Sequence, residues 1–462
     1  MDLYGQFYRH AWLPFFDGVL KGRRTLQHWL AFEESQWWPR ERLEEFQLRA
    51  LQALLMHSHE TSPYYREMWQ QSDLHPQEIR TFADFEQVPL LTREIIREHR
   101  TELRSTAPLN LFSKSTGGSS GVPLHFDLDT GSNDRRTALM YRGYRWGHGE
   151  PGTKQLFIWG GSLSSLPPWK KRKTALHNWL DRKTILNCFD FTPEMMPRHL
   201  DRLNASRPDV IIAYTNPLYE FARYLHQTGR EAWSPRGIIV GAEKLHSFQR
   251  ELIQQVFHAP VFETYGSREF MLIGAECEHH TGLHLSMENL YVEILTDEGH
   301  PAAPGEEGNV VITDLFNYGM PFIRYVNGDR AVAGWDMCPC GRGLSMMKQV
   351  TGRRLDVLVT PDGKRVPGEF FPHLFKDFDE IQRFQVVQER PEAFLIKLVA
   401  PQLSSDRETQ LLQFIREGTG TVVQLELQKV SEIPLTRVGK LQVVLNKLPQ
   451  ESIPQPTPVG AH

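Results

Sequence analysis

At 462 residues, 40% hydrophobic and 23% charged, the chain is long enough for more than one domain and a large buried core. Its 52 Lys and Arg against 56 Asp and Glu leave a net charge of -4, without the polybasic field that nucleic acid or an anionic membrane surface demands of a main partner. Four cysteines in such a length exclude a disulfide scaffold and fit a reducing compartment, so the cytoplasm and a small-molecule substrate are the expectations.

Residues 11–20, AWLPFFDGVL, are apolar only in pieces, broken by Pro14 and Asp17, and nowhere does an uninterrupted apolar run approach membrane-spanning length. Residues 40–57 place Leu43, Phe46, Ala50, Ala53 and Leu54 at helical spacing, which predicts a packed helix. A second helix is predicted over TREIIREHRTEL, with Thr92 as its N-cap. Residues 113–123, SKSTGGSSGVP, then gather hydroxyls and glycines in one short segment. Gly permits close backbone approach, and converging N–H and O–H groups suit an anion, with phosphate the first guess; a solvated connector is the plain alternative. A Walker-type loop fails because Val122 follows Gly121. A hydrolase nucleophile elbow, G-x-S-x-G, is satisfied by Gly117 to Gly121 with Ser119 as nucleophile. That elbow needs an apolar strand before it and a helix after it, whereas SKST precedes and the strand-like VPLHFDLD follows.

The apolar runs KQLFIWGG, DVIIAYT, GIIVGAE and PVFETYG alternate with amphipathic stretches such as HSFQRELIQQVF, the signature of βα units around a parallel sheet. From about Leu290 two strands surround a Gly/Pro/acidic turn and suggest a β-rich subdomain over about 275–350. The last hundred or so residues read as a small, mobile α+β domain. Strand patterns at LDVLVTP, RFQVVQE, AFLIKLVA and TVVQLELQKV surround one helix, DRETQLLQFIREG, ending at Gly418 as C-cap. We place the boundary near Thr351–Gly352, giving domains of 1–351 and 352–462, and expect the Pro-rich tail 449–462 to be disordered. The fold class is α/β.

Taken in order, these segments resemble the AMP-forming adenylating enzymes, in the branch of phenylacetate-CoA ligases and capsule-biosynthesis proteins, along nearly the whole chain. STGGSSGVP resembles the family's phosphate loop, GAEKL its adenine-side segment and ETYGSREF its Y-G-x-x-E motif. PFIRYVNGDRA is similar to the R-Y-x-x-x-D ribose segment, TGRRLDVL to the interdomain hinge and PLTRVGKLQ to the catalytic-lysine motif; TSPYYREMW and VPLLTREII resemble the branch's N-terminal region. The resemblance implies ATP, Mg²⁺ and a carboxylate as ligands, an acyl-adenylate as product and coenzyme A as the expected acceptor, with an amine or carrier protein as the alternative. It admits a homodimer.

By that resemblance Thr116, Gly117, Gly118, Ser119, Ser120 and Gly121 hold phosphates. Gly241, Ala242, Glu243, Tyr265, Gly266 and Ser267 surround the nucleotide, Asp329 accepts from the ribose hydroxyls and Arg353 contacts ribose or phosphate. Glu269 ligates Mg²⁺, a hard cation suited to oxygen donors. Lys440 is the catalytic residue of adenylation, an ammonium that neutralises the attacking carboxylate and the α-phosphate. The chain departs from the family with Arg268 at the usual threonine, Leu355 where the hinge has an acid with Asp356 following it, and Val122 at the common lysine of the phosphate loop.

A second constellation is CEHHTGLH followed some sixty residues later by CPCG. Cys277, Cys338 and Cys340 with one histidine make a Cys₃His set for structural Zn²⁺, and the histidine is open among His279, His280 and His284. Resemblance to zinc-bearing members of the branch favours His284. Trp159, Tyr214 and Pro217 are the candidates for the acyl pocket, whose substrate the sequence does not name.

Overall fold

The computed structural model describes residues 2–116, 124–159, 168–188, 191, 194–335, 337–353, 358–362, 365–366, 370–375, 378, 380–419, 423–434 and 442–448. The chain divides into two compact units, Met1–Asn327 with Ala331–Val350, and Gly328–Arg330 with Thr351–His462.

The first unit opens with helices. Arg40–Thr61 buries Leu43, Ala50, Leu51, Leu54 and Leu55. Ala53, expected on that face, is exposed, because the buried stripe drifts to Leu51 and Leu55. The Thr92 hydroxyl accepts from Ile95 N (3.3 Å), so the N-cap forms where the sequence puts it. The helix then breaks at His99 into Arg93–Glu98 and Arg100–Leu103.

Strands β1 (Leu111–Ser115) and β2 (His125–Asp129) pair antiparallel as a two-stranded sheet. Next come β3 (Gln155–Trp159), β4 (Lys183–Asn187), β5 (Val210–Tyr214), β6 (Gly237–Gly241) and β7 (Val261–Ser267), parallel neighbours in the order β7-β6-β5-β3-β4. Every residue of β5 and β6 is buried, as continuous β-branched runs covered on both faces by helices require. Strands β8 (Met271–Glu276), β9 (Leu283–Leu285), β10 (Leu290–Leu295), β11 (Glu307–Asp314), β12 (Tyr325–Ala333) and β13 (Met346–Arg353) extend the same sheet to eleven strands through the antiparallel β7–β8 pair. The helix Thr130–Trp146 buries two arginines, Arg136 paired with Asp314 and Arg142 with Glu288. Removing one partner of either pair would strand a buried charge. Among the described residues no helix is long and apolar enough to cross a membrane.

In the second unit β14 (Leu358–Val359) pairs with β15 (Arg365–Val366). Strands β16 (Arg383–Arg390), β17 (Ala393–Val399), β18 (Gln424–Lys429) and β19 (Val444–Asn446) form a sheet in the order β18-β17-β16-β19, with the helix Ser405–Thr419 burying Leu411 and Ile415 in the unit's core. Gly418 does not cap that helix. It lies within the last turn, where an added Cβ would come 2.1 Å from the Phe370 ring, so small size and not backbone freedom is what the position demands.

Candidate functional site

The segment that begins after β1 is held at its neck. Thr116 N donates to Leu124 O (2.9 Å), and Leu124 N donates back to the Thr116 hydroxyl (2.9 Å). Ser115 lies at the end of a strand, which corrects the reading of SKST as loop, and the segment 117–123 runs between two antiparallel strands. A nucleophile elbow requires a strand leading into a helix, so the hydrolase reading loses its geometry. Gly117, Gly118, Ser119, Ser120, Gly121 and Lys440 lie outside the described residues, as do Leu355 and Asp356.

Facing β1 is the turn between β7 and β8, which follows Ser267 and carries Arg268 and Glu269. Arg268 Nε donates to Ser115 O (3.3 Å), so the guanidinium that replaces the family's threonine reaches the strand end just before the Ser/Gly segment. Lys114, beside it on β1, donates to Asn133 Oδ1 (3.2 Å). Burial, reinforced by the Arg136 and Arg268 charges, pushes its pKa down to about 8. Glu269 is 5% exposed, with Arg93 Nη2 at 3.7 Å from its Oε1. The sequence reading singled out neither Arg93 nor Lys114. Arg93 opens the helix that Thr92 caps, which would have been the only local clue.

The turn's geometry depends on Gly266. A Cβ there would meet Met271 O at 2.0 Å, and Met271 itself has φ 66°. Gly266→Ala is therefore expected to destabilise the chain by about 3 kcal/mol, read as a lower urea midpoint at unchanged m, because a backbone carbonyl has to move. Tyr265 is buried and its hydroxyl accepts from Asn327 Nδ2 (2.6 Å). Ser267 Oγ accepts from Phe270 N (3.3 Å).

At the end of β6, Gly241 admits Thr264, whose Oγ1 would lie 2.5 Å from an added Cβ, and Ala242 turns the chain at φ 68°. The Glu243 carboxylate accepts from Asn216 N (2.8 Å), in the first turn of the helix Thr215–Thr228, where a negative charge meets orphan N–H groups. Trp159 and Tyr214 end the adjacent strands β3 and β5 with ring centroids 4.2 Å apart, and Pro217 is buried in the first turn of the helix after β5. Asp329 is half-buried on β12 after Gly328 (φ 86°), and Arg353 ends β13.

Glu263, two residues before Tyr265, shares Arg250 with Glu276 and donates its backbone N–H to the Glu276 carboxylate (2.7 Å). Burial and the Glu276 charge, opposed by Arg250, push its pKa from 4.5 up to about 7. The folded chain thus holds a proton that the unfolded chain releases between about pH 4.5 and 7, so stability falls as pH rises through that window. Glu263→Gln is expected to flatten that slope in melting temperatures recorded across it.

Three of the four cysteines converge. Cys277 follows β8, His284 sits on β9, and Cys338 and Cys340 precede β13, which pairs with β9 at Met346↔His284. The four ligand atoms lie within 4.8 Å of one another, with Cys277 Sγ–Cys338 Sγ at 3.6 Å and Cys340 Sγ–His284 Nε2 at 3.3 Å. Sulfurs 3.6 Å apart are not a disulfide, and Zn–S bonds of about 2.3 Å at tetrahedral angles give this spacing. His279 is exposed and His280 turns to Glu276 (3.3 Å), so His284 is the histidine that joins the thiols. Burial, with the Arg342 and Arg142 charges, pushes His284 down to about 4, and burial pushes Cys277 up to about 12. Cys340 Sγ also accepts from Arg342 N (3.4 Å).

A long sheet, parallel at one edge and antiparallel at the other, with a separate small four-stranded unit, is the adenylate-forming fold. The crystal structure of 2-hydroxyisobutyryl-CoA ligase in the postadenylation state, in complex with R3-HIB-AMP, shares it at a TM-score of 0.69 and 18% identity, covering 91% of this chain and 94% of that one. Residues 358–447 match the CapK C-terminal domain. The chain is 22% identical to Protein CapK of Staphylococcus aureus over 421 residues, 88% of this chain and 90% of CapK. It is 24% identical to the phenylacetate-coenzyme A ligase of Escherichia coli (strain K12) over 330 residues, 69% of this chain and 72% of that enzyme. These relatives match the AMP-forming adenylating superfamily, in its branch of phenylacetate-CoA ligases and CapK.

Proposed function

We propose that the chain is an ATP-dependent enzyme that joins a carboxylate to AMP, releases pyrophosphate and passes the acyl group to coenzyme A. One observation supports this reading above the others: the Arg268 contact brings the Tyr265-to-Glu269 turn against the strand end that leads into the Ser/Gly segment. Two motifs more than a hundred residues apart thereby meet where a triphosphate would be neutralised from two sides. In this reading Thr116 and the segment 117–121 cradle phosphates, Gly241, Ala242, Tyr265, Gly266 and Ser267 border the nucleotide, and Asp329 and Arg353 hold ribose. Glu243 is spent on a helix N-terminus and acts as a wall of the adenine side. Glu269 would hold Mg²⁺, which would offset the charge of the phosphates; Arg93 lies against the same carboxylate.

Lys440 supplies the charge for adenylation. Cys277, His284, Cys338 and Cys340 hold Zn²⁺ as a closed structural site with no open position for chemistry. The enzyme works in the cytoplasm, where these thiols stay reduced. A second reading keeps the adenylation and passes the acyl group to an amine or carrier acceptor, since the match over residues 358–447 is to CapK, whose name specifies no acceptor.

The test is hydroxamate formation from a pooled set of aryl and aliphatic carboxylates with ATP, Mg²⁺ and hydroxylamine, which traps an acyl-adenylate whatever the acceptor. Hydroxamate with matching AMP from at least one acid is the expected result. Absence of both across the pool would sink the reading for those acids, and omitting hydroxylamine in favour of coenzyme A then separates the two acceptors.

A further inference from the structure

The net charge of -4 hides a local segregation. The helix Pro168–Leu180 carries four consecutive basic residues, KKRK, and no acid. Lys170, Arg172 and Lys173 are exposed, and so are Trp169, Leu176 and Trp179, at 61%, 58% and 71%. Positions 169, 172, 176 and 179 return to one face at 3.6 residues per turn, so indoles, an aliphatic side chain and a guanidinium share an uncovered stripe.

The N-terminal segment packs beside this helix. Tyr4 Oη donates to Leu180 O (2.7 Å), Tyr8 Oη donates to Asp181 Oδ1 (2.6 Å), and the Phe16 ring meets His177 edge-on at 5.7 Å. It adds Phe15, Val19 and Leu20, at 48%, 73% and 57% exposure, next to exposed Lys21, Arg23 and Arg24. The acids nearby are engaged: Asp17 is buried against Arg23, Asp181 against Lys183, and Asp2 pairs with Arg182.

We propose that this surface docks the protein on an anionic lipid bilayer, with the tryptophans and aliphatic side chains at the headgroup–acyl boundary and the lysines and arginines on lipid phosphates. Large exposed apolar side chains rimmed by one sign of charge mark an interaction surface, and indoles with Lys and Arg are the composition that lies in a membrane interface. Val19, Leu20 and Leu176 add aliphatic surface beside the rings, which an acyl boundary takes up and a stacked nucleic-acid base does not. A second copy of the same face would set basic residues against basic residues. The expectation against a membrane surface rests on charge averaged over the whole chain, which does not register this local segregation. The proposal is independent of the catalytic reading.

The full chain is sedimented with vesicles of phosphatidylcholine alone and of phosphatidylcholine mixed with phosphatidylglycerol. Binding to the mixed vesicles only, weakening as salt is raised, is expected. Lys170→Glu with Arg172→Glu and Lys173→Glu should lower the apparent affinity at least about tenfold. Trp169→Ser with Trp179→Ser should lower it as well, at low and high salt, with melting temperature and adenylation unchanged. No pelleting with anionic vesicles overturns the proposal, as does pelleting that neither variant alters. A dimer in light scattering that the tryptophan variant converts to monomer would assign the face to a second copy and also overturn it.

Discussion

Lys440→Ala is expected to lower ATP-dependent hydroxamate formation by about 10²–10³-fold, the usual cost of removing one preorganised charge from a developing anionic transition state. The attacking carboxylate and the α-phosphate are both negative, and no amount of binding to the ribose or the base offsets their repulsion at the reacting atoms. An ammonium on a flexible stem can sit between them; Arg is a wider, planar fork and should restore little, so Lys440→Arg is the informative companion. Only the first half-reaction should suffer. Thioester formation from a chemically made acyl-adenylate and coenzyme A should stay within a few-fold of the unsubstituted enzyme, because pyrophosphate has already left. Equal loss in both halves would point to a general defect of the second unit, and undiminished hydroxamate would remove Lys440 from the mechanism.

What the sequence made legible follows the strength of each local signal. VIIAY and GIIVG could hardly be anything but central strands, and all ten of their residues are buried. KTILN was not singled out because β4 is the outer strand of the parallel region, half-exposed on most of its length, so polar residues interrupt its pattern. LFSKS escaped for a related reason, since β1 pairs with β2 in a two-stranded sheet and is part-buried along most of its length, with Phe112 packed on the core. Within the candidate site, the positions named by motif are those that backbone geometry dictates, such as Gly266 under the Met271 carbonyl. Pairings made across long separations were invisible. Arg93 meets Glu269, and Arg268 meets Ser115, only after the sheet is assembled. Among His279, His280 and His284 the spacing does not choose; the resemblance favoured His284, and the β9–β13 register sets it beside the thiols.

Cys338→Ser is the substitution with the largest expected effect on stability. The protein as purified should carry one zinc per chain by metal analysis, and the variant should lose most of it. Cys277, Cys338 and Cys340 lie in a small apolar cluster with Leu43, Trp146, Leu272 and Met346, so the ion would tie β8, β9 and the approach to β13 together from inside that cluster. Removing one ligand leaves the part-buried Cys340 thiol beside a buried thiol and a buried imidazole whose charged states burial disfavours, as the upward push on Cys277 and the downward push on His284 record. Loss of a metal belongs with the few changes that cost about 4 kcal/mol or more, and in a unit of this size that should lower the melting temperature by roughly 5 °C or more. A closed site predicts a specific pattern: the variant that still folds at low temperature should keep hydroxamate formation within a few-fold, while a strong chelator reproduces its melting temperature in the unsubstituted chain. Zinc retained at full stoichiometry by Cys338→Ser would place the ion elsewhere. Activity lost at a temperature where the fold persists would make the metal part of the chemistry and overturn the structural assignment.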